Sequence, residues 1–424
     1  QRRPMMPRDL LLGLLLLASW VFADQVFVGS APNGSLLLQP AGGQQVLING
    51  VDFDSLAKTV SAQSQALATQ NQALATLQDQ LTALASHQRC TVVADTTTIP
   101  TGTNGSQGAL WPGGVLANNG KIYCVPQSFT SALIIDPNTN TADTTTIAGL
   151  GDSQLHKWGG AVLAGNGKIY GFPLSSLSVI VIDPTTNSVD LTTMTGLEGP
   201  SKWHSGVLAR NGKLYGVPWR SQSVLIIDPA TNVTDITTMS GLASGFFKWS
   251  AGIVAANGKI YCIPTRIDTV LIIDPFTDTM DATTIAGLTT GTDKWHGGVL
   301  ARNGKIYGVP RDSTAVLIID PVTNTVDTTT IAGLDGTAGK SVGGVLAGDG
   351  KIYSLPYTSG SYILIIDPDN NTTDTTTLAN ISLTFFGGVL AGNGMIYGIP
   401  YFATHHVLIV RQDCKMLTQI SKGL

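Results

Sequence analysis

A lysine–tryptophan pair recurs in this chain every 45 or 46 residues, as Lys157-Trp158, Lys202-Trp203, Lys248-Trp249 and Lys294-Trp295. Trp111, Lys340-Ser341 and Phe385 hold the same place in further copies, and histidine follows twice, as His204 and His296. A second group, Trp219, Arg220, Arg266 and Arg311, recurs later in three of the copies. Cations repeated around one opening focus a positive potential and favour an anion. Guanidinium groups pair with carboxylate or sulfate, and an exposed indole offers a face to a sugar ring. The candidate ligand-binding set is therefore Lys202, Lys248, Lys294, Arg220, Arg266, Arg311, Trp203, Trp249, Trp295, His204 and His296. An acidic surface polysaccharide is the expected partner. The competing reading makes each tryptophan a packing residue and each lysine a solvated one.

The same histidines could act as acid or base in an enzyme of the lactonase or lyase kind. Carboxylates argue against it. Glu198 is the single glutamate, and nearly all aspartates of the array recur at turn or edge positions in every copy. No His-x-x-x-His, Cys-x-x-Cys or Gly-x-Ser-x-Gly occurs. No catalytic residue, metal site or cofactor is assigned, and the chain is read as a non-enzyme. The Asp-Pro-x-Thr-Asn run, as at Asp228 to Asn232, has the look of an acidic cation loop, but its liganding positions vary between copies. An Asx-type turn accounts for it.

The elements that position these residues form one repeat. Tyr123, Tyr170, Tyr215, Tyr261, Tyr307, Tyr353 and Tyr397 are spaced by 44 to 47 residues, each after Asn-Gly or Asp-Gly and each before a small residue and a proline. An aliphatic run closed by Asp-Pro follows the first six, as in Leu317 to Pro321, and then an Asp-Thr run such as Asp327 to Thr330. Four short strands per period of this length predict an all-β, seven-bladed β-propeller with four-stranded blades. Strands a to d run outward from the axis. Glycine heads strand a where backbones crowd, Asn-Gly predicts a type I′ hairpin, and Asp-Thr-Thr-Thr is expected as the polar outer strand.

The ends of the array predict a split seventh blade. Asp95 to Thr98 precedes the first strand a, and the last period stops after Val407 to Val410. Cys90 and Cys414 fall at neighbouring positions of the missing c-to-d turn, so a disulfide between them is expected to staple the blade. Cys124 and Cys262 read as buried thiols.

Residues 1 to 23 read as a signal peptide, with Arg2, Arg3 and Arg8 before the apolar stretch from Leu10 to Phe22. That stretch is short for a membrane span, so none is expected after cleavage. Residues 24 to 50 suggest a short β-rich segment. Residues 51 to 88 carry a heptad with Phe53, Val60, Leu67, Leu74 and Leu81 at a, and Leu56, Gln63, Gln70, Leu77 and Leu84 at d. This predicts a coiled-coil stalk and a homo-oligomer, with a helix packed singly as the alternative. The propeller is expected over 89 to 414 and a tail over 415 to 424. Six Asn-X-Ser/Thr sequons offer glycan sites, at Asn33, Asn104, Asn232, Asn370, Asn371 and Asn380. With 12% charged residues and a net charge of −4, the chain has no basic excess to attract nucleic acid.

The order Ala-x-Asn-Gly-Lys-Ile-Tyr-Gly-Val-Pro, then Val-Leu-Ile-Ile-Asp-Pro-x-Thr-Asn-x-Val, at Ala301 to Pro310 and Val316 to Val326, resembles the YVTN-type β-propeller repeats of extracellular and surface-layer proteins, related in pattern to NHL repeats. The resemblance covers residues 90 to 414. It implies a propeller, a secreted or surface location and a binding role. The proline after strand b and the Lys-Trp insertion depart from that pattern, so no family binding residue transfers.

Overall fold

The computed structural model describes residues 26–30, 36–40, 47–48, 51–86, 88–103, 110–151, 156–402 and 406–416. The chain divides into two units, Cys90–Cys414 and the remainder, Gln1–Arg89 with Lys415–Leu424. Cys90–Cys414 is a seven-bladed β-propeller of four-stranded antiparallel sheets. Blade 3 typifies it: strand a is Trp203–Leu208, b Leu214–Pro218, c Leu225–Asp228 and d Val233–Asp235. In the seventh sheet the order is Phe385–Leu390, Ile396–Pro400, His406–Met416, Gln88–Pro100.

Strands b and c are buried along most of their length because neighbouring blades cover both faces. Apolar clusters accordingly lie between consecutive blades rather than within one. One joins Tyr215 and Ile226 of blade 3 to Ile260 and Leu271 of blade 4, and another joins Tyr397 of blade 7 to Ile122 of blade 1. Glycine at the head of strand a is required by the approach of the next blade. A Cβ on Gly159 would stand 2.0 Å from the carbonyl oxygen of His204.

Two local expectations are corrected. In the a-to-b hairpin only glycine has positive φ, 82° at Gly212, and Gly212 N donates to Ala209 O at 3.1 Å. This is a type I turn followed by a left-handed glycine, not type I′. The asparagine is held by its side chain instead, its Oδ1 accepting from Lys213 N at 3.1 Å. In blades 1 to 6 the Asp-Thr run is likewise a turn, not a strand, whereas Asp95 to Thr98 lies within the strand Gln88–Pro100. Strand d is the short stretch ending at the aspartate, as in Thr325–Asp327, and the Asp327 carboxylate then collects the amides of Thr329 and Thr330 at 2.7 and 3.0 Å. Both threonine hydroxyls donate to it as well. Four donors on one carboxylate favour closing the turn over extending the strand. The Asp-Pro run forms the expected Asx turn, with Asp228 Oδ1 accepting from Ala230 N at 2.9 Å.

Adjacent blades are joined by one repeated contact. Asn211 Nδ2 donates to Pro275 O, in the c-to-d turn of the next blade, at 2.9 Å. The Tyr215 hydroxyl donates to the same carbonyl at 3.5 Å. The asparagine contact occurs six times, at 2.9 to 3.4 Å, and that from Asn393 to Pro137 links blade 7 to blade 1.

The other unit contains the antiparallel pair Val26–Ser30 and Leu36–Pro40, the pair Leu47–Ile48 and Val51–Asp52, and helix α1, Phe53–Ser86. No glycine or proline interrupts α1. Its described side chains, 58 to 77, are exposed, with Val60, Leu67, Leu74 and Leu77 between 53% and 59% accessible. The signal-peptide expectation falls outside the described residues, as does the side chain of Cys414. Cys124 and Cys262 are buried free thiols.

The aspartate turns make stability depend on pH. Asp190 is held down to about 2 by the Thr193 hydroxyl and the Thr192 amide, and Asp95 to about 2 by the Thr98 hydroxyl and the Thr97 amide. Their ordinary value is 3.8, so the folded state binds fewer protons than the unfolded chain between these limits. This stabilisation is complete above about pH 4 and is lost as pH falls through 2. Denaturant titrations should show stability dropping over that window. Asp190→Ala should cost about 1 kcal/mol at neutral pH and make the acid loss shallower.

Candidate functional site

The lysines and tryptophans occupy one register position each, and both are interior. The Trp203 indole is buried and donates to Ser223 O at 2.8 Å, and Trp249 and Trp295 donate to Thr269 O and Ala315 O at 2.7 and 2.8 Å. Lys157, Lys202, Lys248, Lys294 and Lys340 are only 1% to 5% exposed. Lys248 Nζ donates to Ser221 O and Ala243 O at 2.6 and 2.9 Å, and Lys202 Nζ to Ser176 O and Gly199 O at 2.9 and 2.6 Å. Lys294 Nζ donates to Ile267 O at 2.9 Å. Each ammonium also stands 5.4 to 6.0 Å from its tryptophan ring in the four Lys-Trp pairs.

The expected ring of free cations and indole faces is therefore corrected for Lys202, Lys248, Lys294, Trp203, Trp249 and Trp295. The lysine arrives beside a preceding-blade loop whose carbonyls have no strand partner, and an ammonium with three donors satisfies them. Burial lowers Lys202 and Lys248 to about 8. The repetition reflects a repeated backbone need.

The arginines are different. Arg220 is exposed, with its guanidinium 4.2 Å from the centre of the Phe246 ring. Arg266 lies 4.3 Å from Phe247 and Arg311 5.2 Å from Tyr357. Asp293 sits between the last two, accepting from Arg266 Nε at 2.5 Å and from Arg311. Two guanidiniums share the one Asp293 carboxylate, so this trio carries one positive charge in excess. Among the described residues, buried Arg311 Nε has no hydrogen-bond partner.

Beside this arc a cavity of about 250 Å³ opens on the axis. All its lining residues fall at three register positions. The residue after the strand-b proline supplies Gln127, Leu174, Trp219, Arg311, Tyr357 and Tyr401. The residue after the repeat tryptophan, or its counterpart, supplies His204, His296, Val342 and Phe386, and the residue before the lysine supplies His156, Ser201 and Phe247. The a-to-b and c-to-d turns repeat almost unchanged around the ring, whereas these three positions differ from blade to blade. That contrast is visible in the sequence once the blades are aligned, and it would have found Gln127, His156, Phe247, Tyr357, Phe386 and Tyr401, which residue type alone passed over.

The two histidines meet edge to face, with ring centres 4.9 Å apart, and His204 lies 4.5 Å from the Trp219 ring. His204 Nδ1 is 3.2 Å from Ser250 O, which can only accept, so that nitrogen carries the proton and Nε2 is left as an acceptor. Burial lowers His204 to about 4, and burial together with the neighbouring His204 and Arg311 holds His296 well below its ordinary value. Both imidazoles are neutral at pH 7. His296 is 5% exposed and, among the described residues, makes no hydrogen bond. On the far side Tyr401 donates to Gln127 Oε1 at 2.7 Å, and Gln127 Nε2 reaches His156 Nδ1 at 3.0 Å. The cavity can thus take a flat or apolar body between aromatic walls, with hydrogen bonds from neutral imidazoles and a guanidinium at the rim. Its volume is just below the ~300 Å³ at which ligand pockets begin, which suits a head group.

Comparison with known proteins agrees with this fold. A streptogramin B lyase structure matches 76% of this chain and 98% of its own at a TM-score of 0.57 and 10% identity. A catalytically inactive histidine-to-alanine variant of virginiamycin B lyase from Staphylococcus aureus, with quinupristin, matches 76% and 99% at 0.58 and 8%. The extracellular domain of a protein described as a hybrid two component system from B. thetaiotaomicron matches 75% of this chain and 40% of that one at 0.55 and 10%. Neither a family model nor a curated protein matches the sequence. At such identities the likeness is one of fold, and the chain is a β-propeller repeat protein.

The lysines are open to a direct test. Lys248→Met should lower stability by about 1–3 kcal/mol by leaving the Ser221 and Ala243 carbonyls without their donor. Denaturant melts of Lys248→Met at low and high salt should show the same loss, because the carbonyls lose their donor whatever the ionic strength.

Proposed function

We propose that this chain is a secreted or surface-displayed binding protein whose recognition site is the axial cavity with its arginine arc. Three register positions vary around a ring that otherwise repeats, and they converge on one cavity; this carries the reading. The ligand is a small acidic group on a flat or apolar body, such as a uronic-acid unit of a polysaccharide, seated against Trp219, Phe386 and Tyr401 with its anion toward Arg311. Calorimetric titration with oligouronides should show binding that weakens as salt rises. Arg311→Gln should weaken it at least tenfold, while Lys248→Met leaves it unchanged. Equal affinity in Arg311→Gln with the fold intact would remove the site.

A second reading is favoured by the histidine pair. A neutral imidazole can take a proton from a substrate as base and, once protonated, return it as acid, and one of the similar structures is a catalytically inactive histidine-to-alanine variant of a lyase. Incubation with quinupristin distinguishes the two: turnover that disappears in His296→Ala establishes an enzyme, and no turnover leaves the binding reading.

The ends of the chain complete the proposal. Residues 1–23 direct secretion, and α1 associates with copies of itself through Val60, Leu67, Leu74 and Leu77, which expose their side chains in the single chain. Light scattering on the mature chain should give a multiple of the monomer mass, and Leu67→Glu with Leu74→Glu should return it to one. The Gln88–Pro100 strand closes the split seventh blade, and a Cys90–Cys414 disulfide staples it. Peptide mapping under non-reducing conditions should recover that pair, and reduction should cost several kcal/mol, about 5 on the chain-entropy model.

A further inference from the structure

Six of the seven blade junctions carry the asparagine–proline contact, and the seventh does not. Blade 6 has Asp349 where its sisters have asparagine, and blade 7 has no Asp-Pro turn for it to grip. Blade 7 has Arg411 and Gln412 at the Asp-Pro positions, so His406–Met416 runs straight on where the other c strands turn. A groove of about 510 Å³ lies there, walled by Ala347, Tyr353, Met395 and Val410, with Asp349 and Arg411 at its edge.

The polarity of this slot is reversed. At the other junctions the asparagine Nδ2 donates to the tyrosine hydroxyl and to the neighbouring carbonyl, as Asn211 does at 2.9 Å to each. Here Tyr353 donates to Asp349 Oδ2 at 2.8 Å, and Asp349 Oδ1 accepts from Lys351 N at 3.1 Å. Burial and the Asp349 carboxylate keep the Tyr353 phenol protonated far above its ordinary range. What the groove offers is therefore lone pairs, on Asp349 Oδ2 and the Tyr353 oxygen. A proline carbonyl would be repelled, whereas an ammonium or guanidinium is welcomed. Arg411 does not fill this need, as it stands 3.8 Å from Asp95.

We propose that this groove is a docking slot for a partner polypeptide presenting a lysine or arginine at a turn. The six sister junctions show that the site shape receives a tight turn of chain, and the exchange of asparagine for aspartate sets its charge preference. An exposed ion pair alone is weak, so the apolar walls must supply the rest. The slot is separate from the axial cavity and does not depend on its role.

The experiment uses a labelled cyclic peptide containing Asp-Pro-Asn-Thr-Asn-Thr, the sequence of residues 136–141, and a twin with lysine in the proline position. By fluorescence anisotropy the full chain should bind the lysine peptide at least tenfold more tightly than the proline peptide. Asp349→Asn, which installs the residue of the six sister turns and so preserves the fold, should reverse that preference. Absence of a preference in the native chain, or an unchanged one in Asp349→Asn, overturns the proposal. Binding that emerges only after Lys415→Gln overturns it in favour of the chain's own tail.

Discussion

The ring depends on a contact between blades: an asparagine amide and a tyrosine hydroxyl reach from one a-to-b turn to the proline carbonyl of the next blade's c-to-d turn. A single four-stranded blade cannot cover both faces of its b and c strands, so it is stable only between neighbours. The contact sets the spacing at the outer turns, and the tryptophan indoles and lysine ammoniums set it on the opposite side of the ring. With the junctions fixed at both ends, the apolar clusters between blades are repeated almost residue for residue, and little freedom remains for sequence change in the strands.

That constraint explains where function can reside. Residues that make the shared contact to the neighbouring blade repeat, while residues that face the axial opening are not held to one shared partner and differ from blade to blade. The aligned blades bring these variable positions to one mouth, and the result is an asymmetric cavity in a nearly symmetric ring. Its two neutral imidazoles, the aromatic walls and the Arg311–Asp293–Arg266 pairing all come from blades that are alike elsewhere. The broken junction at blade 6 follows the same logic: where the neighbouring turn is missing, its asparagine is replaced.

The sequence by itself determined the number of blades, the strand order within each, the crowding glycines and the Asx turns, because these follow from local backbone preferences repeated at a fixed period. It also determined where variation breaks the period. Only the tertiary structure decided which repeated side chains are interior. Lysine next to tryptophan reads equally as a binding ring and as an interior clamp; each of Lys202 and Lys248 joins a carbonyl 3 or 5 residues earlier to one 26 or 27 residues earlier, in the preceding blade. The Asp-Thr runs read as strands by composition, and in blades 1 to 6 they are turns capped by the aspartate carboxylate. The convergence of Trp219, His204, His296 and Phe386 from blades 3, 5 and 7 is a consequence of ring closure, a global condition that no local stretch of chain encodes.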